Sequence, residues 1–418
     1  MQLLEPAVPG AHDRNGFNAG GGEREVIYVL NSIGPTSSPF NEYVLYRLRR
    51  YPDERPVVIT WLPNDPEVAA MCRREPLASR LELVECHAKA ATLVRALNAR
   101  IARSRSADRR TVVHVHHAAA GALARCVKMA PWLPRVPTVY TMHTAYGQLS
   151  LRNRGLTAWA MTGADQSVFV SEASLDAFPI WLRGRLRAEP LVIRNGVDLE
   201  RVDAVLRQLT PRYAEPVLGD PGMAAPERTA RAGALSLITV GRLVDLKNQE
   251  LLIRALAGLP DNICLTIVGG GPLEANLRTL ATSLGLADRV RLTGVIPREE
   301  VFRELRNSDL FVSSSRWEGL PVAVLEAMAC ELPVLLSDIP SHREVARDLS
   351  AAKLLPSQVE AWVPAIRAFA ETPDTERLRL GASARAAVRE SFSLERMQAS
   401  YRTVYERLWS YETSEVTT

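Results

Sequence analysis

Short apolar runs rich in β-branched residues recur along this chain, separated by segments of helical spacing, and that alternation limits the fold more than any other feature. "EVIYVLNS", "RPVVITWL", "TVVHVHH", "VPTVYTMH", "QSVFVSE" and "EPLVIRNGVD" occupy the first half, and "LSLITVGRL", "ICLTIVGGG", "RVRLTGVI", "DLFVSSS" and "LPVLLSDIP" the second. Strands alternating with helices predict α/β architecture, with parallel sheets covered on both faces. Between the two series lies a Pro-, Gly- and Arg-rich stretch, 210–234, too long for an ordinary connection and read as a mobile excursion. With 418 residues and 47% hydrophobic content, the chain suffices for two large domains.

The expected division is a flexible tail over 1–24, an N-terminal Rossmann-like domain over 25–189, a C-terminal Rossmann-like domain over 190–392, and a final helix over 393–412. Pro, Gly and Asn in the opening segment, which lacks a basic stretch followed by a sufficient apolar run, argue against a signal peptide. The final helix carries Met397, Tyr401, Val404, Tyr405 and Leu408 at helical spacing, an apolar stripe that must be buried.

Charge excludes some functions. The 51 Lys and Arg residues against 47 Asp and Glu give a formal charge of +4, too balanced to announce a nucleic acid as partner, so a small-molecule partner is expected. The Arg-rich segment Val94–Arg110 reads as the solvated face and end of a helix. No run approaches a membrane span, and no convincing segment for peripheral membrane contact is present. Cys72, Cys86, Cys126, Cys264 and Cys330 show no metal-ligand spacing and read as reduced core thiols of a cytoplasmic protein.

In open parallel sheets, ligands bind beyond the carboxyl ends of the strands, so two facing sheets predict a single interdomain cleft. Three strand ends in the second half carry suitable chemistry. "TVGRLVDLKNQE" sets Gly241, Arg242 and Lys247 after a strand, two cations suited to a diphosphate. "VGGGPLEANL" sets Gly269, Gly270 and Gly271 where a ligand or another loop comes close, and a tight turn accounts for them equally. In "EGLPVAVLEAMACELPV", Gly319, Leu320 and Pro321 lead into a helix whose positive end suits a phosphate, with Pro321 at its first position and Pro333 ending it. Glu318 then lies near the group that the phosphate carries. Glu326, in the second turn, suits a vicinal diol such as a ribose, and an unpaired acid in so apolar a helix is costly.

These motifs resemble the retaining nucleotide-sugar glycosyltransferases of family 4, with the GT-B fold of two facing Rossmann-like doubly wound domains. "EGLPVAVLE" is similar to the family's Glu, seven residues, Glu pattern, "VGRLVDLKNQELLIRAL" to its diphosphate-binding segment, and "VIRNGVD" to the segment opening its C-terminal domain. The resemblance implies that Arg242 and Lys247 bind the diphosphate, Glu318 the donor sugar and Glu326 the ribose, and that the final helix returns to the N-terminal domain. His143, in "TMHTAYG", sits where family members carry a histidine that reaches the sugar. His114, His116 and His117 read as structural. The first loop, "NSIGPTSSPFNEY", departs from the glycine pair of many relatives, and Ser37 and Asn41 in it suit a polar polyol or amino-sugar acceptor or, equally, an ordinary turn and helix cap.

The expected reaction is transfer of a hexose, N-acetylglucosamine or glucose, from a UDP-sugar to an acceptor hydroxyl with retention. An aminocyclitol of antibiotic biosynthesis is the expected acceptor, and a glycolipid or cell-surface polysaccharide the alternative. No cofactor is expected and, without an Asp-x-Asp sequence, no metal. A sugar-nucleotide epimerase or a non-catalytic nucleotide-sugar-binding module is the rival of another class.

Overall fold

The computed structural model describes residues 23–33, 40–66, 69–70, 80–130, 135–209 and 235–414. Gly34, Ser37, Cys72, almost all of the expected tail and the whole 210–234 excursion lie outside them. The chain divides into two units, Met1–Asn195 with Leu394–Thr418, and Gly196–Ser393.

The first unit is built on β1 (Arg24–Leu30), β2 (Glu54–Thr60), β3 (Glu82–Glu85), β4 (Arg110–Val115), β5 (Thr138–Met142), β6 (Gln166–Phe169) and β7 (Leu191–Val192), in the order β3-β2-β1-β4-β5-β6-β7. All neighbours are parallel. Successive side chains of a strand point to opposite faces. Ile27 and Val29 of β1 enter one apolar cluster and Val26, Tyr28 and Leu30 another. Both faces are therefore covered, as a parallel sheet requires. Because β7 pairs with β6, the first unit runs to Asn195, past the expected boundary at 189.

The helix Leu394–Ser414 buries the five expected stripe residues, together with Leu394 and Trp409, on the Val26, Tyr28 and Leu30 face. Polar contacts fix its register. Arg47, from the helix Phe40–Arg50, makes a buried ion pair with Glu54 at 2.5 Å and donates to Gln398 Oε1 at 2.9 Å, while Arg402 donates to Glu54 at 2.5 Å. A second buried network makes Arg100 the exception to the solvated face read for Val94–Arg110, on which Arg95, Arg103 and Arg105 are exposed. Arg100, in the helix Ala90–Ser106, pairs with the fully buried Glu25 and with Glu82 at 2.6 Å.

The second unit carries β8 (Leu235–Val240), β9 (Ile263–Val268), β10 (Val290–Gly294), β11 (Leu310–Ser313), β12 (Val334–Ser337) and β13 (Ala352–Leu355), ordered β10-β9-β8-β11-β12-β13 and parallel throughout. Progress along this sheet reverses at β8. The chain moves outward through β9 to β10, then returns to lay β11 on the other side of β8. Such a reversal leaves a crevice between the carboxyl ends of β8 and β11, where doubly wound folds bind ligands.

The cysteines need correction. Cys86 and Cys330 are buried thiols, but Cys126 and Cys264 are exposed.

Candidate active site

The carboxyl ends of β8 and β11 bring together two of the expected residues. After β8 the chain makes a short 3-10 turn, Asp245–Lys247, closed by Asn248 in the left-handed conformation at φ 52°. The loop after β11 clamps this turn: Ser314 Oγ donates to Asn248 O at 2.7 Å, and Arg316 N to Leu246 O at 2.8 Å. So held, Lys247 Nζ lies 2.5 Å from Glu318 Oε1, which also accepts from Ser315 Oγ at 2.7 Å. Arg242, which follows Gly241 in the chain, is exposed and makes no ion pair among the described residues.

The glycines divide by role. A Cβ built on Gly241 would lie 3.4 Å from Lys247 Cε, so the lysine stem runs over Gly241. A Cβ on Gly269 would stand 2.1 Å from Gly241 O, and one on Gly271 would stand 2.5 Å from Leu243 O. Those two residues are glycine because two loops meet there. Gly270 O accepts from Leu243 N at 3.0 Å, and a Cβ on Gly270 would stand 2.9 Å from Val295 Cγ2, so close packing accounts for all three glycines.

The helix after Glu318 runs from Val322 to Ala329, with Pro321 just before it rather than at its first position. Nor does Pro333 end this helix. It stops at Ala329, and Glu331, at φ 62°, turns the chain toward β12. Glu326 is 3% exposed, and its cost is met by Arg298, whose guanidinium bonds Glu326 Oε1 from the helix Arg298–Arg306. Arg298 was not singled out in the sequence. Neither was His342, a buried side chain whose Nδ1 lies 2.8 Å from Ser337 O.

In the first unit, His143 Nε2 lies 2.9 Å from His116 Nδ1. Each is the first residue after its strand, β4 or β5, and those strands pair, a coincidence of offset legible in the sequence. Burial pushes the ring of His143 down to about 4, and that of His116 well below the ordinary imidazole range, with His114 and His143 acting in the same direction. His114 does fit the structural reading, held between Tyr405 at 2.5 Å and Thr141 at 2.7 Å. Asn41 is the second residue of the helix Phe40–Arg50. Among the described residues no group of three or more His, Cys, Asp or Glu is arranged to hold a metal ion, and no helix is long and apolar enough to cross a membrane.

Comparison with known proteins decides the family. The model of glycosyltransferase family 4 matches residues 37–201, and that of glycosyl transferases group 1 matches residues 226–387. A D-inositol 3-phosphate glycosyltransferase of Xylanimonas cellulosilytica is 30% identical over 322 residues, 70% of this chain and 71% of that protein. The chain belongs to the family 4 glycosyltransferases of GT-B fold. A second protein of that description, from Mycobacteroides abscessus, is 29% identical over 268 residues, 61% of the present glycosyltransferase and 57% of its own length. HepE of Anabaena, solved in complex with UDP and glucose, matches this glycosyltransferase with a TM-score of 0.71 and 19% identity, over 92% of its chain and 100% of the HepE chain. At that identity the likeness speaks for the fold.

Proposed function

We propose that this glycosyltransferase moves a hexose from a UDP-sugar to a hydroxyl of a cyclitol or aminocyclitol, with retention at the anomeric carbon and without a metal. The observation that carries the reading is the Lys247–Glu318 pair at the β8–β11 crevice, with the exposed Arg242 in the turn that leaves β8. Two cations there suit a diphosphate, and their charge stabilises the leaving group as its bond to the sugar breaks. Glu318 is assigned to the transferred sugar, Glu326 to the ribose, and Gly319, Leu320 and Pro321 to the phosphate approach at the helix start. The bond from the anomeric carbon to the β-phosphate oxygen breaks, the bond to the acceptor oxygen forms on the same face, and the acceptor proton passes to the departing phosphate. No separate carboxylate base is needed. His143 and Asn41 are assigned to the acceptor side.

Support for the acceptor class comes from the relatives named for inositol phosphate, and for the donor from the UDP and glucose of the HepE complex. The test is incubation of the purified protein with UDP-glucose or UDP-N-acetylglucosamine, alone and then with inositol, inositol 3-phosphate or an aminocyclitol. Acceptor-dependent UDP release and an axial anomeric linkage by NMR are expected. An isomerised sugar formed without acceptor would instead mark an epimerase. Transfer confined to lipid-linked acceptors would sink the cyclitol assignment.

A further inference from the structure

The segment "DIPSHREV" follows β12, and its helix, Pro340–Val345, turns His342 back beneath the end of that strand. Nδ1 of His342 lies 2.8 Å from Ser337 O and 3.1 Å from Ser337 Oγ. A carbonyl oxygen only accepts, so the proton is assigned to Nδ1. Burial pushes this ring below the ordinary imidazole range, against the opposing effects of the Ser337 carbonyl and the Glu318 charge, so it is neutral near pH 7. Nε2 is then a buried acceptor, without a partner among the described residues. A hydrocarbon side chain would fill this space without stranding a nitrogen. Stability alone therefore does not account for an imidazole here.

What the Nδ1 proton secures is the first rung of a ladder. Ser337 Oγ donates to Ser315 O at 2.5 Å, Ser315 Oγ donates to Glu318 Oε1 at 2.7 Å, and the same Oε1 meets Lys247 Nζ at 2.5 Å. The pairing of β11 with β12 ends at Ser313, opposite Leu336. Beyond that point side-chain bonds take over from the backbone ladder, running from the end of β12 to the end of β11 and on to the turn after β8.

We propose that His342 is a positioning residue for Glu318 in the transfer reaction, setting the carboxylate through Ser337 and Ser315. The inference rests on the assignment of Glu318 to the transferred sugar. A carboxylate loosened by a fraction of an ångström still lets the nucleotide bind but no longer meets the reacting sugar in a productive geometry. His342 thus acts on turnover and not on nucleotide affinity.

The test uses three variants of the full chain. His342→Leu fills the space and removes the donor, His342→Asn restores an N–H at the place of Nδ1, and His342→Gln places its amide nearer Nε2. His342→Leu is expected to lower kcat ten-fold or more with KM for the donor sugar and the affinity for UDP within two-fold of wild type. His342→Asn should recover most of the loss. Wild-type kcat in His342→Leu overturns the proposal, and so does rescue by Gln but not Asn, which would mean that Nε2 touches substrate. Crystal structures of the Leu and Asn variants supply an arm that needs no turnover. The Glu318 carboxylate should lose Ser315 while keeping Lys247 in the first, and keep both in the second; an unmoved carboxylate in the Leu variant overturns the positioning role. If the wild-type protein transfers sugar from no donor, the functional reading fails, while these structures still decide what His342 does to Glu318.

Discussion

Replacing Glu318 with Gln should move nucleotide affinity and turnover in opposite directions. Lys247 Nζ is held 2.5 Å from Glu318 Oε1, with side-chain exposures of 24% and 12%. A diphosphate that takes up this ammonium must weaken the pair already there. Fully exposed ion pairs are worth about 0.2–1 kcal/mol, and hydrogen bonds to charged groups about 1.5–3 kcal/mol. A half-shielded pair falls between, and about 1 kcal/mol is a fair figure. Glu318→Gln relieves the nucleotide of that competition, so its affinity for UDP should rise roughly five-fold. Sugar transfer should nonetheless fall, because the contact to the moving group is lost. Lys247→Ala should weaken UDP binding by about 1.5–3 kcal/mol, ten-fold or more. Calorimetric titration of wild type, both single variants and the double variant with UDP closes a cycle whose coupling should be about 1 kcal/mol. Should Glu318→Gln lose UDP affinity as Lys247→Ala does, Glu318 touches the nucleotide itself and the argument from competition is wrong.

Glu326→Gln is expected to weaken UDP binding by roughly 1.5–3 kcal/mol, since the ribose diol is present in UDP itself. Arg298→Gln, which strips the buried acid of its ion pair, should lower stability more than affinity; unaltered UDP affinity in Glu326→Gln would leave the Arg298–Glu326 pair a purely structural contact. Glu54→Ala leaves Arg47 and Arg402 without their shared buried partner and should cost about 3–5 kcal/mol in urea unfolding, whereas a loss below about 1 kcal/mol would show that the network is dispensable. The histidine cluster predicts a pH dependence. His114, His116 and His143 have folded-state values lowered by burial, His143 to about 4, while an unfolded histidine titrates near about 6.5. Unfolding therefore takes up protons in that window, and stability should fall from pH 6.5 toward 4 by about 1.4 kcal/mol per pH unit for each such ring. Urea melts of wild type and His143→Asn at several pH values measure the slope, and an identical slope in the two would remove His143 from the account.

The eleven strands expected from apolar runs are all present, and the two further strands among the described residues, β3 and β13, show what an apolar run does not signal. Each lies at one edge of its sheet, with one neighbour instead of two. β3 reads "ELVE" with every residue half-buried, and β13 reads "AKLL" with an exposed lysine. An edge strand meets water along one side, so it needs no unbroken apolar run and carries the charges that discourage pairing with other chains. Central strands, buried on both faces, have no such freedom, and their sequences announce them.

The site divides along a similar line. Arg242, Lys247, Glu318 and Glu326 stand out because a charge at a strand end or in an apolar helix is out of place in its own neighbourhood. Their partners do not. Arg298 opens a helix of ordinary amphipathic spacing, "REEVFRELR", and nothing near it in sequence shows that it reaches an acid 28 residues away. His342 lies two residues after a proline in a short helix, and its importance arises only once β12 lies beside β11. The costly residue announces itself locally, whereas the residue that meets its cost is identified by a register. That is why the apolar setting of Glu326 correctly signalled an expense, yet did not say whether a ribose or an arginine answered it. The structure supplies the arginine, so a ribose bound there must share the carboxylate with Arg298 or rearrange the pair. UDP titration of Glu326→Gln beside Arg298→Gln is therefore the comparison that separates the ligand's claim on this acid from the fold's.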